Sequence, residues 1–229
     1  MLKETCVIII ISALGLLSVA CGHPTLNPQL KSQVDAGVAV VSGGHNVTTP
    51  SEGKAKPLAS GQWVRYRVID EKGEPSLLTY KVVGAEGDAI WLEYSLVSYY
   101  YSTDYRMLVK WDFRNLKSMD IRRVIEKNEG GAFVEYDSMM LTMTRPFFKR
   151  MLSMIRQEWD TTANENVSVI AGHFTGCDRL TTAFYMGKHI TSEAYAHSEV
   201  PICGIVKSES QSARLELLDY GFEGATASF

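Results

Sequence analysis

The clearest pattern in this chain is an alternation of apolar and polar residues that begins just after Gly61. In Trp63-Val64-Arg65-Tyr66-Arg67-Val68, Val64, Tyr66 and Val68 share one face and the two arginines take the other. That is the period-two signature of a half-buried strand. Asp70-Glu71-Lys72-Gly73-Glu74-Pro75 is a turn cluster, and Ser76 to Val83 reads as the returning strand. Gly84 to Asp88 turns the chain into Ala89 to Tyr101, rich in Tyr, Val, Leu and Trp, which suit a pleated surface. Strands over Tyr105 to Phe113, Ser118 to Glu126 and Ala132 to Tyr136 continue the rhythm. After Val167 it resumes with strands over Thr175 to Tyr185, Ile190 to His197, Ile202 to Glu209 and Arg214 to Tyr220.

One stretch has a different period. From Met139 to about Trp159, Met140, Phe147, Met151, Met154 and Ile155 recur at helical spacing, with Arg145, Lys149, Arg150 and Arg156 between them. Pro146 argues against a continuous helix and suits a first turn, so the helix is expected from about Arg145 with Thr144 as its cap. About ten strands in up-and-down order with one amphipathic helix predict an α+β domain. Its form would be a curved antiparallel half-barrel with the helix packed on the concave face.

That domain is expected over residues 60–229. Ahead of it, residues 21–59 show little apolar period and hold four of the seven prolines, together with Ser42-Gly43-Gly44. This composition predicts a flexible tether with a reach on the order of 35 Å. Its one apolar patch, Val38 to Val41, could pack on the domain or add a short edge strand. Residues 1–20 carry Lys3 and then an uncharged run from Cys6 to Leu17, the n-region and h-region of a secretory signal. The run is too short to span a bilayer, which takes about 20 apolar residues.

The signal ends in Leu17-Ser18-Val19-Ala20-Cys21, which resembles the lipobox of bacterial lipoproteins, with Ser18 where Leu is commonest. The resemblance implies a diacylglyceryl thioether and an N-acyl chain on Cys21, and so attachment to a membrane through that lipid. Each buried methylene adds about 0.8 kcal/mol, so several chains anchor durably. Gly22, in place of Asp, implies the outer membrane and a domain facing the periplasm. Further along, Gly61-Gln62-Trp63-Val64, Ala171-Gly172-His173-Phe174, Glu199 to Lys207 and Leu217-Leu218-Asp219-Tyr220-Gly221 resemble an uncharacterised group of envelope lipoproteins. Their architecture is similar to that of the lipoprotein carriers LolA and LolB. This resemblance covers about residues 60–222 and implies an apolar groove for acyl chains, but its short apolar motifs transfer no individual binding residue.

Composition narrows the function. A formal net charge of −3 lacks the basic patch that marks nucleic-acid partners. With Cys6 in the signal and Cys21 acylated, Cys177 and Cys203 are the pair left in an oxidising compartment. A disulfide between them is left open, because a meander puts a whole strand between the two. Next-nearest strands lie about 9.5 Å apart, beyond the usual 4.4–6.8 Å or so of a bridge. The five histidines show no zinc-ligand spacing, and no nucleophile elbow, phosphate loop or zinc-protease motif occurs. No metal, cofactor or catalytic set is therefore expected. Carboxylates such as Glu93 and Glu135 read as solvated strand residues.

Two features could bind something. The Met stripe of the helix, Met140, Met143, Met151 and Met154, reads either as core or as adaptable lining for an apolar ligand. Phe147, Phe148, Met151 and Met154 are the first candidates for that lining. The run Tyr99-Tyr100-Tyr101 offers apolar area with polar tips, with Tyr99 and Tyr101 on one side of a strand and Tyr100 on the other. The expected activity is non-catalytic: a membrane-anchored binding module for a lipid or a lipoprotein acyl chain. The alternative is a structural lipoprotein that docks an envelope protein through its surface.

Overall fold

The computed structural model describes residues 25–39, 44–111, 118–128, 131–155, 159, 164–185 and 189–229, with the backbone course alone at 154, 182–185 and 189–191. They form a large, curved, unclosed sheet of twelve strands with two helices, an α+β fold with more strands than the ten expected. In chain order these are α1 (Pro28–Ala39), β1 (His45–Val47), β2 (Trp63–Asp70), β3 (Pro75–Glu86), β4 (Ala89–Val97) and β5 (Ser102–Lys110). Then come β6 (Asp120–Lys127), β7 (Phe133–Glu135), α2 (Ser138–Met151), β8 (Asn164–Val169), β9 (Gly172–Tyr185), β10 (His189–Ala196), β11 (Ile205–Ser210) and β12 (Ala213–Gly221).

The sheet is not a single meander. Its order is β1-β9-β10-β11-β12-β2-β3-β4-β5-β6-β7, with β8 paired to the other side of β9. The last strand, β12, lies beside β2, and two antiparallel runs extend from that seam in opposite directions. The chain therefore passes from β7 at one end of the sheet, through α2, to β8 and β9 at the other.

Alternation decides which side chains point inward. In β2, Val64 and Tyr66 are fully buried while their neighbours are half-exposed. Register then builds a row across the sheet: Tyr220, Val64, Tyr80, Tyr94, Tyr105, Glu126 and Val134 are successive cross-strand partners. A bulge in β12 between Leu217 and Asp219 shifts the phase by one residue. It turns Leu218 to the outer face and brings Tyr220 back to the inner row. Such bulges also bend the strand that carries them.

Helix α2 starts earlier than expected. Asp137 is its N-cap, its Oδ1 accepting from the Met140 amide at 2.8 Å, and Pro146 lies within the helix rather than in its first turn. Proline costs the bond to the carbonyl four residues back. Here Pro146 faces solvent, where water can serve that carbonyl, so the helix runs through it. Thr144 is not a cap; its hydroxyl donates to the Met140 carbonyl at 2.6 Å.

Much of the segment expected to be a flexible tether is folded onto the domain. Val34 of α1 is fully buried on the outer face among Leu77, Val97 and Leu218, with Leu30 and Val38 against them. Gly37 lets the helix come close: a Cβ there would lie 2.3 Å from Leu77 Cδ1. β1 adds a parallel edge strand along Gly172 to Phe174, Gly53 accepts from the Trp159 amide at 2.9 Å, and the Thr49 carbonyl meets the His197 ring at 2.9 Å. Sequence-local pattern misses this because the partners of α1 lie far along the chain. Residues 1–20, Cys21 and the patch residues Val40 and Val41 lie outside the described residues.

Cys177 and Cys203 are free, buried thiols. The intervening β10 keeps β9 apart from β11, as the spacing argument requires, and Cys203 Sγ instead lies 2.8 Å from the Tyr66 hydroxyl.

Candidate functional site

The Met-rich side of α2 is the feature that the sheet leaves unfinished. At about 100° per residue, Met139, Met143, Phe147, Met140 and Met151 fall within roughly 120° of helix circumference, flanked by Phe148 and Leu141. Toward the C-terminal end this face is closed: Phe148 and Met151 are buried, and Leu152 and Ile155 follow them into the core. Toward the N-terminal end it is open to solvent. Met139 and Met143 are 70% and 76% exposed, and Met140 is exposed as well. Phe133 and Val134 on β7, the last strand of the sheet, are exposed just before the helix begins. Three exposed methionines thus share one side of the first two turns of α2, more concentrated than the scattered singles of an ordinary surface.

Under α2 the interior is aromatic. The Phe148 ring lies 5.0 Å from Tyr105, 5.9 Å from Tyr136 and 5.2 Å from Phe147, all near edge-to-face, the favoured geometry for such pairs. Tyr80 donates to the Met151 carbonyl at 3.2 Å and Tyr136 to Glu126 Oε2 at 2.7 Å. The Tyr94 hydroxyl, fully buried, meets no donor or acceptor among the described residues. Burial pushes the Tyr105 hydroxyl up to about 12, with Glu126 adding to it, and raises Tyr94 and Tyr136 further. These phenols stay neutral. They can donate hydrogen bonds from an otherwise apolar wall and cannot act as nucleophiles at neutral pH.

The expected lining residues are thus divided. Phe148 and Met151 pack as core, Phe147 is half-buried at the boundary, and the side chain of Met154 lies outside the described residues. Met140 and Met143, read as the same stripe, are the accessible part. Met139 joins them because the helix begins at Ser138 and not near Arg145, whereas Phe133 stacks on Phe229 at 5.2 Å on the outer face of the sheet. Had Asp137-Ser138 been read as a cap, the exposed side of α2 would have followed.

The tyrosine run is a turn and not a strand. The Ser98 amide donates to the Tyr101 carbonyl at 2.9 Å, so β4 ends at Val97. The Tyr99 hydroxyl donates to Asp35 of α1 at 2.8 Å and the Tyr100 hydroxyl to Glu74 at 2.7 Å.

On the outer face there is a polar recess of about 220 Å³, lined among others by Gln33, Arg65, Lys81, Glu93, Asp104 and Ser228. Glu93, nearly buried, accepts from Arg106 Nε at 3.0 Å and from the Ser228 amide, with Lys81 Nζ 3.8 Å away. Glu135 is bound by Arg123 at 2.6 Å, which holds its carboxyl below the usual range. Both carboxylates are ion-paired on strands, a structural use rather than an acid–base pair. His197 is a satisfied core residue: its Nδ1 accepts from the Glu199 amide at 3.1 Å, so Nε2 donates to the Thr49 carbonyl. His45 stacks on Tyr220 at 4.1 Å and meets Asp219 at 3.2 Å. Among the described residues no three His, Cys, Asp or Glu side chains are grouped to hold a metal, and no helix is long and apolar enough to cross a membrane.

No family model matches the chain, and no curated protein does. Among solved structures, the chain is similar to a protein from Bacteroides fragilis provisionally described as exported, with a YmcC-like fold. The two are 12% identical, the match covers 74% of this chain and 99% of the other, and the TM-score is 0.36. At that score the likeness carries no argument about function.

Proposed function

We propose that this protein is a lipid-anchored envelope lipoprotein, held to the outer membrane through Cys21, that acts as a non-catalytic binding module for an acyl chain. The chain, from a lipid or from another lipoprotein, would lie along the uncovered Met139–Met140–Met143 side of α2 and reach Phe147. Phe148 and Met151 form the floor at which it stops. The observation that carries this reading is the exposed apolar side of α2 formed by Met139, Met140 and Met143. Methionine suits it, because an unbranched, polarisable side chain adapts to a flexible ligand.

The test uses the chain with Cys21→Ser, which removes the anchor without touching α2. Native mass spectrometry of the purified protein should show co-purified lipid, and a fluorescent fatty acid should bind saturably. Met140→Glu with Met143→Glu should weaken that binding at least tenfold, or about 1.4 kcal/mol or more, with an unchanged melting temperature. A clean apo mass with no fatty-acid uptake would reject the reading. One observation favours protein docking instead: β7 is an exposed edge strand, and such edges accept an added strand. Protein-partner binding lost with Phe133→Pro, whose amide faces the free edge while those of Ala132, Val134 and Tyr136 lie on the β6 side, but kept with the Glu pair would select that second reading.

A further inference from the structure

We infer that the end of the sheet formed by Leu26 and the Tyr99–Tyr101 turn is the surface that rests on the bilayer. The inference builds on the Cys21 anchor proposed above and specifies which part of the domain meets the lipid. A flexible tether would leave the domain free to tumble well clear of the membrane. The docked helix α1 removes that freedom. The Asn27 amide donates to the Tyr99 carbonyl at 2.9 Å, the Tyr99 hydroxyl donates to Asp35, and Lys31 Nζ lies 4.8 Å from the Tyr99 ring. Buried Val34 holds the middle of the helix. The helix therefore begins fixed at the β4–β5 turn.

Cys21 precedes Asn27 by six residues. At a maximum of about 3.3–3.6 Å per residue, that link spans no more than about 22 Å. An acylated Cys21 sits at the headgroup level, so the Tyr99 turn is kept within that distance of it. The opposite end of the sheet, the β3–β4 turn, is separated from the Tyr99 turn by the length of β4, about 30 Å for nine residues at about 3.4 Å each. The two ends differ in character. Leu26 and Tyr101 are exposed at the near end, and Tyr100 is tied to Glu74 of the β2–β3 turn beside it. Tyrosine with an aliphatic neighbour suits a water–lipid boundary, where an apolar ring and a polar tip are both satisfied. The far end carries an open charge network in which Asp88 pairs with Arg122 at 2.7 Å and Lys110 at 2.5 Å.

Charge does not drive the contact. Lys31, Lys72, Lys127 and Arg214 stand at the near end with Asp35, Asp70, Glu71, Glu74 and Glu209, Lys31 paired with Asp35 and Arg214 with Glu209, so there is no cationic excess to attract anionic headgroups. The contact follows from the short link and the apolar edge, and zwitterionic lipid is the appropriate surface.

The test uses the full acylated chain in phosphatidylcholine vesicles, with a nitroxide on Leu26→Cys, Tyr101→Cys or, at the far end, Ala85→Cys. Cys177 and Cys203 are buried thiols, so a Cys177→Ala, Cys203→Ala background that keeps the fold serves as the labelling control. The oxygen-to-nickel-chelate accessibility ratio should be several-fold higher at 26 and 101 than at 85. Mass analysis of the N-terminal fragment, run on the same sample, separates the two ways to fail. Equal ratios at all three sites on a chain with acylated Cys21 overturn this inference and leave the anchor standing. An unmodified Cys21 overturns both.

Discussion

Replacing Val34 with Asp should release α1 from the sheet while the sheet stays folded. Val34 is fully buried, packed in a cluster with only Leu77, Val97 and Leu218 at its centre. Burying one valine is worth about 1.5–3 kcal/mol, and a carboxylate left in that apolar site would cost several kcal/mol more. The docked state therefore loses at least about 3 kcal/mol, more than a hundredfold in its equilibrium constant at about 1.4 kcal/mol per decade. A twelve-residue helix is marginal by itself in water, so α1 should melt once it is released. Val34→Ala removes two methyl groups and should cost about 1.6 kcal/mol at about 0.8 each, an intermediate case. Hydrogen exchange read by mass spectrometry resolves these states. Peptides over 28–39 should lose protection by about a hundredfold or more in Val34→Asp, while peptides over β2 to β5 change by only a few-fold. If 28–39 exchange at the unprotected rate in the unaltered protein, α1 is not docked and the membrane orientation falls with it. If Val34→Asp unfolds the whole sheet, the outer cluster is integral to the core and not a separable clasp.

Two further outcomes follow from the buried polar groups. Tyr66 donates to the Ile205 carbonyl at 2.9 Å, so Tyr66→Phe should cost about 1–2 kcal/mol and lower the melting temperature by about 2–8 °C. Tyr94→Phe removes a hydroxyl with no partner among the described residues and should be neutral or stabilising; a loss like that of Tyr66→Phe would show that the hydroxyl is bonded. The thiols contribute to the alkaline limit, together with the buried tyrosines, which burial also raises. Burial raises Cys203 to about 11 and Cys177 to about 12, from an ordinary value of 9.0. The folded state thus holds protons that the unfolded state releases above pH 9. Their contribution to stability is complete below pH 9 and is lost as the pH rises toward 12. Denaturant midpoints should fall across that window, and a thiol reagent at pH 8 should modify neither cysteine until the protein unfolds.

Alternation was enough to place most strands, because a half-buried strand has only one periodic solution: Val64, Tyr66 and Val68 point inward as the pattern requires. Strand order was not readable in the same way. Nothing local in Arg214 to Tyr220 says that its neighbour is β2 and not merely β11; the seam is a closure over most of the chain. The helix start is legible in Asp137-Ser138. A proline on the solvent side of a helix, as at Pro146, loses only a bond that water replaces, whereas the Asp137 cap satisfies an otherwise unpaired amide.

The docking of α1 left a signal on the strands it covers. A half-buried strand should show apolar residues singly, at every second position. Instead three strands carry apolar pairs: Leu77-Leu78, Leu96-Val97 and Leu217-Leu218. In each pair one member enters the inner core and the other enters the outer cluster around Val34. A pair of adjacent buried residues on a strand means that both faces are covered there. Three such pairs on β3, β4 and β12 call for a second layer over the outer face. The segment 21–59 supplies that layer with Leu30, Val34 and Val38, spaced at four residues as one helical stripe. Low apolar density argued for a tether, but density is the wrong measure for a helix that needs only one stripe. The same reasoning bears on function. A segment that merely spaced the domain from its anchor could vary in length without consequence. With the anchor proposed at Cys21, a segment clasped to the sheet would fix which end of the half-barrel meets the lipid and the distance at which α2 stands from it. Lengthening the link between Cys21 and Asn27 by about ten Gly/Ser residues should therefore free the Tyr101 nitroxide from the bilayer while leaving α1 protected from exchange.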